Sequence, residues 1–274
     1  MLRLLPALLL LTAAACATAQ PTRTLPDDDW CDEVARERGG DRDGRFGACE
    51  VREVVLPAGS VAVGGRNGGI AVRPWDRPDV LVRARVSARG RTQDEADRRV
   101  RAARLEVGRG AVRERPPRRP NDGDAVAFEV FAPRQTDLSL RTMNGGISVE
   151  GMAGALDVQT MNGGLSLRDV AGAVRGRSMN GGIDVAVGGR GGAGAGLDLE
   201  TANGGISVVL PRGYSADVVA STQMGQISTD GLALSAERRD RSPFGGRVSG
   251  QIGAGGPTLS AVTQRGGISI RAER

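Results

Sequence analysis

Leu138-Ser-Leu-Arg-Thr-Met-Asn-Gly-Gly-Ile-Ser-Val-Glu-Gly-Met-Ala-Gly-Ala155 is followed without a gap by Leu156-Asp-Val-Gln-Thr-Met-Asn-Gly-Gly-Leu-Ser-Leu-Arg-Asp-Val-Ala-Gly-Ala173. Met-Asn-Gly-Gly returns a third time at Met179, and a looser copy stands at Ala202-Asn203-Gly204-Gly205. Degenerate copies lie at 223–226 and 264–267. Units therefore begin at Leu138, Leu156, Val174, Leu197, Val218 and Leu259, at intervals of 18, 18, 23, 21 and 41 residues. A repeated supersecondary unit outranks other signals, because it sets the architecture. The variation in length falls after the second apolar stretch, as at the glycine run 188–196 and the stretch 232–257, so that side is the tolerant loop side.

Within a unit the apolar residues alternate. Leu138 and Leu140 oppose Ser139 and Arg141, and Ile147 and Val149 oppose Ser148 and Glu150. Period two over short runs between glycine turns reads as β-strand. Asn-Gly reverses the chain readily, because Asn tolerates left-handed backbone and Gly has no Cβ. Each unit is thus two short strands with a tight bend at Asn144-Gly145-Gly146, Asn162-Gly163-Gly164, Asn180-Gly181-Gly182 or Asn203-Gly204-Gly205.

Two architectures fit: a β-solenoid of stacked units and a meander of antiparallel hairpins. Near-identical neighbours favour the solenoid, since stacking sets each residue above its own copy. The fold expected is mostly β, a β-solenoid of repeats about 18 residues long. Stacking predicts an amide ladder of Asn144, Asn162, Asn180 and Asn203, and a second, hydroxyl ladder of Thr142, Thr160, Ser178 and Thr201. Met143, Met161 and Met179 would stack too. Stacked apolar residues ordinarily face the core, which favours the inward reading; facing outward they would form an adaptable apolar stripe.

Composition points the same way. The 274 residues include only four Phe, two Trp and one Tyr, so a thin core of Leu, Val, Ile and Ala suits a narrow stack. The basic residues are all arginine. Charge is uneven: residues 27–53 hold ten acids against five arginines, and residues 98–119 hold nine arginines against two glutamates. Without aromatics beside it, that basic stretch reads as a solvated face or linker rather than a nucleic-acid site.

The chain opens with Arg3, a short apolar run and small residues, an export signal over 1–19 that is too short to span a bilayer. Two readings compete there: simple cleavage after Ala17-Thr18-Ala19, and lipid anchoring at Cys16 behind Ala13-Ala14-Ala15. Neither leaves a second apolar stretch long enough to cross a membrane. Cys31 and Cys49 remain, an even pair in an exported chain, which predicts a disulfide within a segment 20–50. Such a closure is worth roughly 3 kcal/mol in the chain-entropy model.

Residues 51–135 read as a separate strand-rich α+β module that caps the stack. Thr92-Gln-Asp-Glu95 forms a capping box, and apolar spacing continues a helix to about Arg104. Residues 105–112 read as one strand, 115–123 as a basic loop, and 125–131 as another strand. Residues 136–274 form the repeat domain.

The order of a strand module with one short helix, then Val130-Phe-Ala-Pro133, then runs of Thr-x-Asn-Gly-Gly-Ile-Ser-Val, then 253–260 and a final Thr263-Gln-Arg-Gly-Gly-Ile-Ser-Ile270, carries a resemblance. Over roughly residues 51–274 the chain resembles the bacterial β-strand-repeat proteins grouped as domain of unknown function 4097, an adhesin-labelled family. The resemblance implies a β-solenoid-like fold, an exported envelope protein and no established enzymatic activity. It carries over no catalytic residue.

The absent residue types narrow the chemistry. With no histidine there is no Ser-His-Asp triad, no Cys-His dyad and no histidine zinc site. With no lysine there is no P-loop lysine and no Schiff base. The sequence indicates no catalytic residue, cofactor or metal-ligand set. The reading is a non-catalytic structural or adhesive protein, periplasmic, outer-membrane-associated or extracellular, whose partner is an envelope polymer or protein and not nucleic acid. The alternatives are a polysaccharide-active β-helix working with Asp, Glu or Arg, and a regulatory envelope ectodomain.

Overall fold

The computed structural model describes residues 23–25, 29–32, 44–115, 124–189 and 196–273. The export signal, Cys16 with its lipid-anchor reading, most of the basic loop and most of the glycine run lie outside the described residues. The chain enters through β1 (Arg23–Leu25), a 3-10 turn (Asp29–Cys31) and β2 (Phe46–Leu56). Next come β3 (Val61–Asn67), β4 (Ile70–Pro74), β5 (Val80–Gly90), α1 (Gln93–Ala102), β6 (Arg104–Gly108), β7 (Ala111–Arg115) and β8 (Ala125–Ala132). The repeats supply β9 (Leu138–Asn144), β10 (Ile147–Glu150), β11 (Leu156–Asn162), β12 (Leu165–Val170), β13 (Val174–Asn180), β14 (Ile183–Val187), β15 (Leu197–Asn203) and β16 (Ile206–Leu210). The chain closes with β17 (Ala216–Met224), β18 (Ile227–Ser228), β19 (Leu234–Arg241), β20 (Gly246–Ile252), β21 (Thr258–Arg265) and β22 (Ile268–Ala272).

These strands form two 11-stranded sheets. Each unit gives one strand to each sheet, and the Asn-Gly-Gly bend carries the chain between them. Equivalent strands of neighbouring units pair in parallel and in register: Leu138, Leu156, Val174 and Leu197 align, as do Ile147, Leu165, Ile183 and Ile206. The inward residues of both rows are buried. Each contributes roughly 1.5–3 kcal/mol by leaving water. Gly176 breaks the inward row, and there a Cβ would lie 3.1 Å from Cδ2 of Leu199, whose side chain occupies the space.

Two features of the stack depart from the reading of the sequence. Ser60–Val63 was expected to belong to a separate module. Instead β3 pairs with β9, aligning Asn67 with Asn144, and β4 pairs with β10, aligning Ile70 with Ile147. Residues 61–72 are therefore a further unit, with Asn67-Gly68-Gly69 at its bend. The final unit also changes place: β21 lies between β15 and β17, and β22 lies between β16 and β18. The last unit in sequence is thus not the last in space.

Strands outside the repeats extend both ends of the sheet containing β9 and one end of the other, whose opposite end stops at the two-residue β18. The stretch 232–257, expected as a loop insertion, contains β19 and β20, and β20 lies antiparallel against β17. The outer strand β19 carries Glu237, Arg238, Arg239 and Asp240 and a register shift beside Ala236 (φ 49°). Charge and a bulge discourage pairing with another chain. At the other end β8, β5, β2 and β1 extend one sheet, and a β7–β6 hairpin extends the other. Residues 105–112 are thus not one strand but parts of two, turned at Gly110 (φ 67°).

The helix starts where the capping box placed it, with the Thr92 hydroxyl accepting the N–H of Glu95 at 3.2 Å. It ends under Arg52 of β2, whose guanidinium donates to the carbonyls of Val100 and Ala103 at 2.8 and 2.7 Å. The C-cap N–H of Ala103 also reaches the Val100 carbonyl, at 3.2 Å, so Arg52 adds a second donor there, and a cation at that end suits the helix dipole. Cys31 and Cys49 form the expected disulfide, with their Cα atoms 5.7 Å apart. It ties the 3-10 turn to β2 over a small second core that includes Val51 and Trp30. Among the described residues no helix is long and apolar enough to cross a membrane.

Candidate functional site

The bends line one corner of the stack. Asn144 Nδ2 donates to Asn67 Oδ1 at 2.7 Å, Asn162 to Asn144 and Asn180 to Asn162 at 2.8 Å, and Asn203 to Asn180 at 2.9 Å. Arg265 closes the row by donating to Asn203 Oδ1 at 3.3 Å. The hydroxyls behave differently from expectation. Thr142, Thr160, Ser178 and Thr201 align, but they do not bond one another. Each donates at 2.9 Å to a bend-glycine carbonyl of the unit below: Gly68, Gly145, Gly163 and Gly181. Hydroxyls one strand spacing apart, about 4.8 Å, are beyond hydrogen-bond reach of one another. The close stacking also explains the first glycine of each bend, since a Cβ on Gly163 would fall 2.1 Å from the Gly145 oxygen.

In the lowest unit Gly65 holds the hydroxyl position. There Glu114 reaches across and accepts the N–H of Arg66 at 2.6 Å. Burial pushes the Glu114 carboxyl above its ordinary value, and the Arg66 hydrogen bond opposes this only in part.

Met143, Met161 and Met179 face solvent, with 38, 40 and 51 % of their surface exposed. The inward reading is corrected, and strand parity is the reason. Thr142 continues the inward row of Leu138 and Leu140, so the next residue must point out.

The two outer faces differ chemically. On the sheet containing β9, the outward column runs Ser139, Asp157, Arg175, Asp198, Ser260. A groove of about 990 Å³ crosses it, walled at one end by Arg109 and Arg113. Its charges are largely paired with neighbours, Arg141 with Asp157 at 2.7 Å and Arg175 with Asp198 at 3.2 Å.

On the sheet containing β10, the outward column runs Ser148, Ser166, Asp184, Ser207, Ser269, Ser228. Six positions at one strand spacing span roughly 24 Å. Ser228 donates to Asp230 at 2.6 Å. The other four hydroxyls and the Asp184 carboxylate make no hydrogen bond with a described residue. Glycines 146, 164, 182, 205 and 267 lie beside this column, so no side chain screens it on that side. Two shallow depressions, about 610 and 480 Å³, meet at Asp184. Beyond Ala71 the column continues into Glu129, Arg83 and Glu53. Arg83 bridges the two glutamates at 2.9 and 3.2 Å, and Trp30 stacks over Arg83 and Arg85.

No protein-family model and no curated protein matches the sequence. Solved structures similar to the chain include a proposed cell adhesion protein from Clostridium sporogenes, at 11% identity and a TM-score of 0.47, covering 81% of this chain and 100% of that one. A proposed adhesin from Bacteroides fragilis is 11% identical with a TM-score of 0.40, covering 82% and 97%. A proposed lipid-binding protein from Parabacteroides distasonis is 9% identical with a TM-score of 0.26, again covering 82% and 97%. At these scores the likenesses carry no functional argument, and the site is read from its own residues.

The bend residues named from the sequence all lie in the one corner, joined by Asn67, which the sequence reading left out. Cys31 and Cys49 lie at the far end of the chain's first sheet. The serine column was missed as a site, although its signal was present: a small polar residue stands four positions after each bend asparagine from Asn144 to Asn203. Among the described residues no three His, Cys, Asp or Glu side chains cluster to hold a metal ion.

Proposed function

We propose that the chain is an exported, non-catalytic β-solenoid of the cell envelope that binds an extended, neutral, hydroxyl-rich polymer along the column from Ser148 to Ser269. A single observation carries this reading: the column offers one hydrogen-bonding group per strand with no partner among the described residues, while the opposite column has largely paired its charges internally. A serine hydroxyl both donates and accepts, as a sugar hydroxyl does. Each contact is worth only about 0.5–1.5 kcal/mol net, so useful affinity needs many at a regular interval, which a repeating polymer supplies. Asp184 sits mid-column and repels polyanions, which favours a neutral glycan over nucleic acid or a uronate chain. A cleaving enzyme would want a second carboxylate beside Asp184; its partners in the column are Ser166 and Ser207.

The same reading takes residues 1–19 as an export signal, with Cys16 as the alternative anchor point, and groups the chain with the β-strand-repeat family that its motifs resemble. The Cys31–Cys49 disulfide supports an oxidising compartment. Affinity electrophoresis through gels containing neutral or anionic cell-wall polysaccharides tests the binding. The wild type should be retarded by a neutral glycan. Ser166→Leu with Ser207→Leu should abolish retardation, while Ser139→Leu on the opposite face should not. Equal mobility of all three proteins in every gel would overturn the proposal.

A further inference from the structure

We infer that Met143, Met161 and Met179 form a site for a soft monovalent metal ion, Cu(I) or its surrogate Ag(I). The three residues occupy one position of three consecutive units. The pairs flanking them, Thr142 with Thr160 with Ser178 and Asn144 with Asn162 with Asn180, are in register. Their Cα atoms therefore follow one another at roughly 4.8 Å across the sheet. All three side chains are open to solvent. To share an ion above Met161, the outer two thioethers must each lean inward by about half a strand spacing. The three rotatable bonds of methionine allow this.

The fold does not ask for methionine there. The next units place Ala202, Gln264 and Gln223 at this position, and the lowest places Arg66. Nor does the position bury the side chain. What three exposed thioethers have in common is ligand chemistry. Thioether sulfur is a soft donor that selects Cu(I) over Zn(II), Mg(II) or Ca(II). The rest of the chain sharpens that choice. It has no histidine to draw Cu(II) or Zn(II), and Cys31 and Cys49 are held in their disulfide. The neighbouring asparagine amides are engaged with one another, so beside these three units the thioethers are the soft donors at this corner. The bound ion would sit on the corner, away from the serine column, and the two sites should act independently.

Anaerobic Cu(I) titration against the chromophoric chelator bicinchoninate tests the site, with Ag(I) titration as a redox-inert repeat. The wild type should take up one Cu(I) in competition. Met161→Leu should weaken uptake by at least about tenfold, the smaller loss seen when even an outer partner of a metal ligand is removed. The triple Met143→Leu, Met161→Leu, Met179→Leu variant should not compete at all. Met224→Leu, at an exposed methionine outside the column, should behave as wild type. On adding Ag(I), the methyl resonances of residues 143, 161 and 179 should shift, and those of Met152 and Met224 should not. Uptake by the triple variant equal to wild type, or a Met224→Leu loss as large as that of Met161→Leu, would overturn the assignment. Circular dichroism of each variant separates loss of the site from loss of the fold.

Discussion

Asn162 donates its side-chain amide to Asn144 across 2.8 Å and accepts one from Asn180 at the same distance, so one residue links three units. The row is exposed to water, which competes for the same groups. Asn162→Ala removes two links and should cost about 1–2 kcal/mol, the net worth of two ordinary hydrogen bonds. Asn162→Asp should cost more, because its carboxylate, although it can still accept from Asn180, sets a charged oxygen against the Asn144 oxygen where a donor stood. Urea unfolding at unchanged m-value checks both, and an Asp variant more stable than the Ala variant would contradict the ladder.

The two glycines of one bend should differ sharply. A Cβ on Gly163 would lie 2.1 Å from the Gly145 oxygen, whereas one on Gly164 would lie 3.3 Å from the Gly182 oxygen. Backbone is what blocks the first position, so a rotamer change cannot relieve it. Gly163→Ala should cost at least about 3 kcal/mol, the upper part of the overpacking range. Gly164→Ala should cost clearly less. Thermal unfolding of the pair measures the difference.

Much of this corner was legible in the sequence. Period-two alternation and Asn-Gly-Gly spacing were enough to bring Asn144, Asn162 and Asn180 into one line. Asn67 was passed over because Arg66 replaces the methionine and Gly64-Gly65 hides the alternation on the strand before it. The positions of the Val218 and Leu259 units could not be read. Both rows show the same inward pattern to a neighbour, so pattern alone cannot say which stacks first. The methionines were misread for a different reason: hydropathy was given more weight than parity, although Thr142 in the inward row already settled the direction. The serine column was visible at a constant offset from the bends. What the sequence could not give is the register, which sets those hydroxyls on one face and, Ser228 apart, leaves them without a partner among the described residues.

Thr160 separates the hydroxyl from the methyl. Its Oγ1 donates to the Gly145 carbonyl at 2.9 Å within a buried position. Thr160→Val keeps the shape and loses the donor, and should cost about 1–2 kcal/mol. Thr160→Ser keeps the donor, as Ser178 does in the next unit with the same bond, and should cost less than Val. Denaturation midpoints of the two variants decide it, and the reverse order would mean that packing of the methyl matters more than the hydroxyl.

Glu114 gives the stack a pH response at its lowest unit. Burial raises its carboxyl above the ordinary 4.5, so the folded state holds a proton that the unfolded chain has already released. In that window the folded state binds more protons, and stability therefore falls as pH rises. The loss begins near the unfolded value and is complete once pH passes the folded one. Glu114→Gln keeps an oxygen to accept the Arg66 N–H but cannot ionise. Its stability should be flatter than wild type from about pH 4.5 upward, with the gap in favour of Gln widening until pH passes the folded value and constant above it. Unfolding free energies of the two proteins measured in steps from pH 4 to 7.5 check the sign, and a wild type that gains on the variant as pH rises would show that the Arg66 hydrogen bond, not burial, dominates the carboxyl.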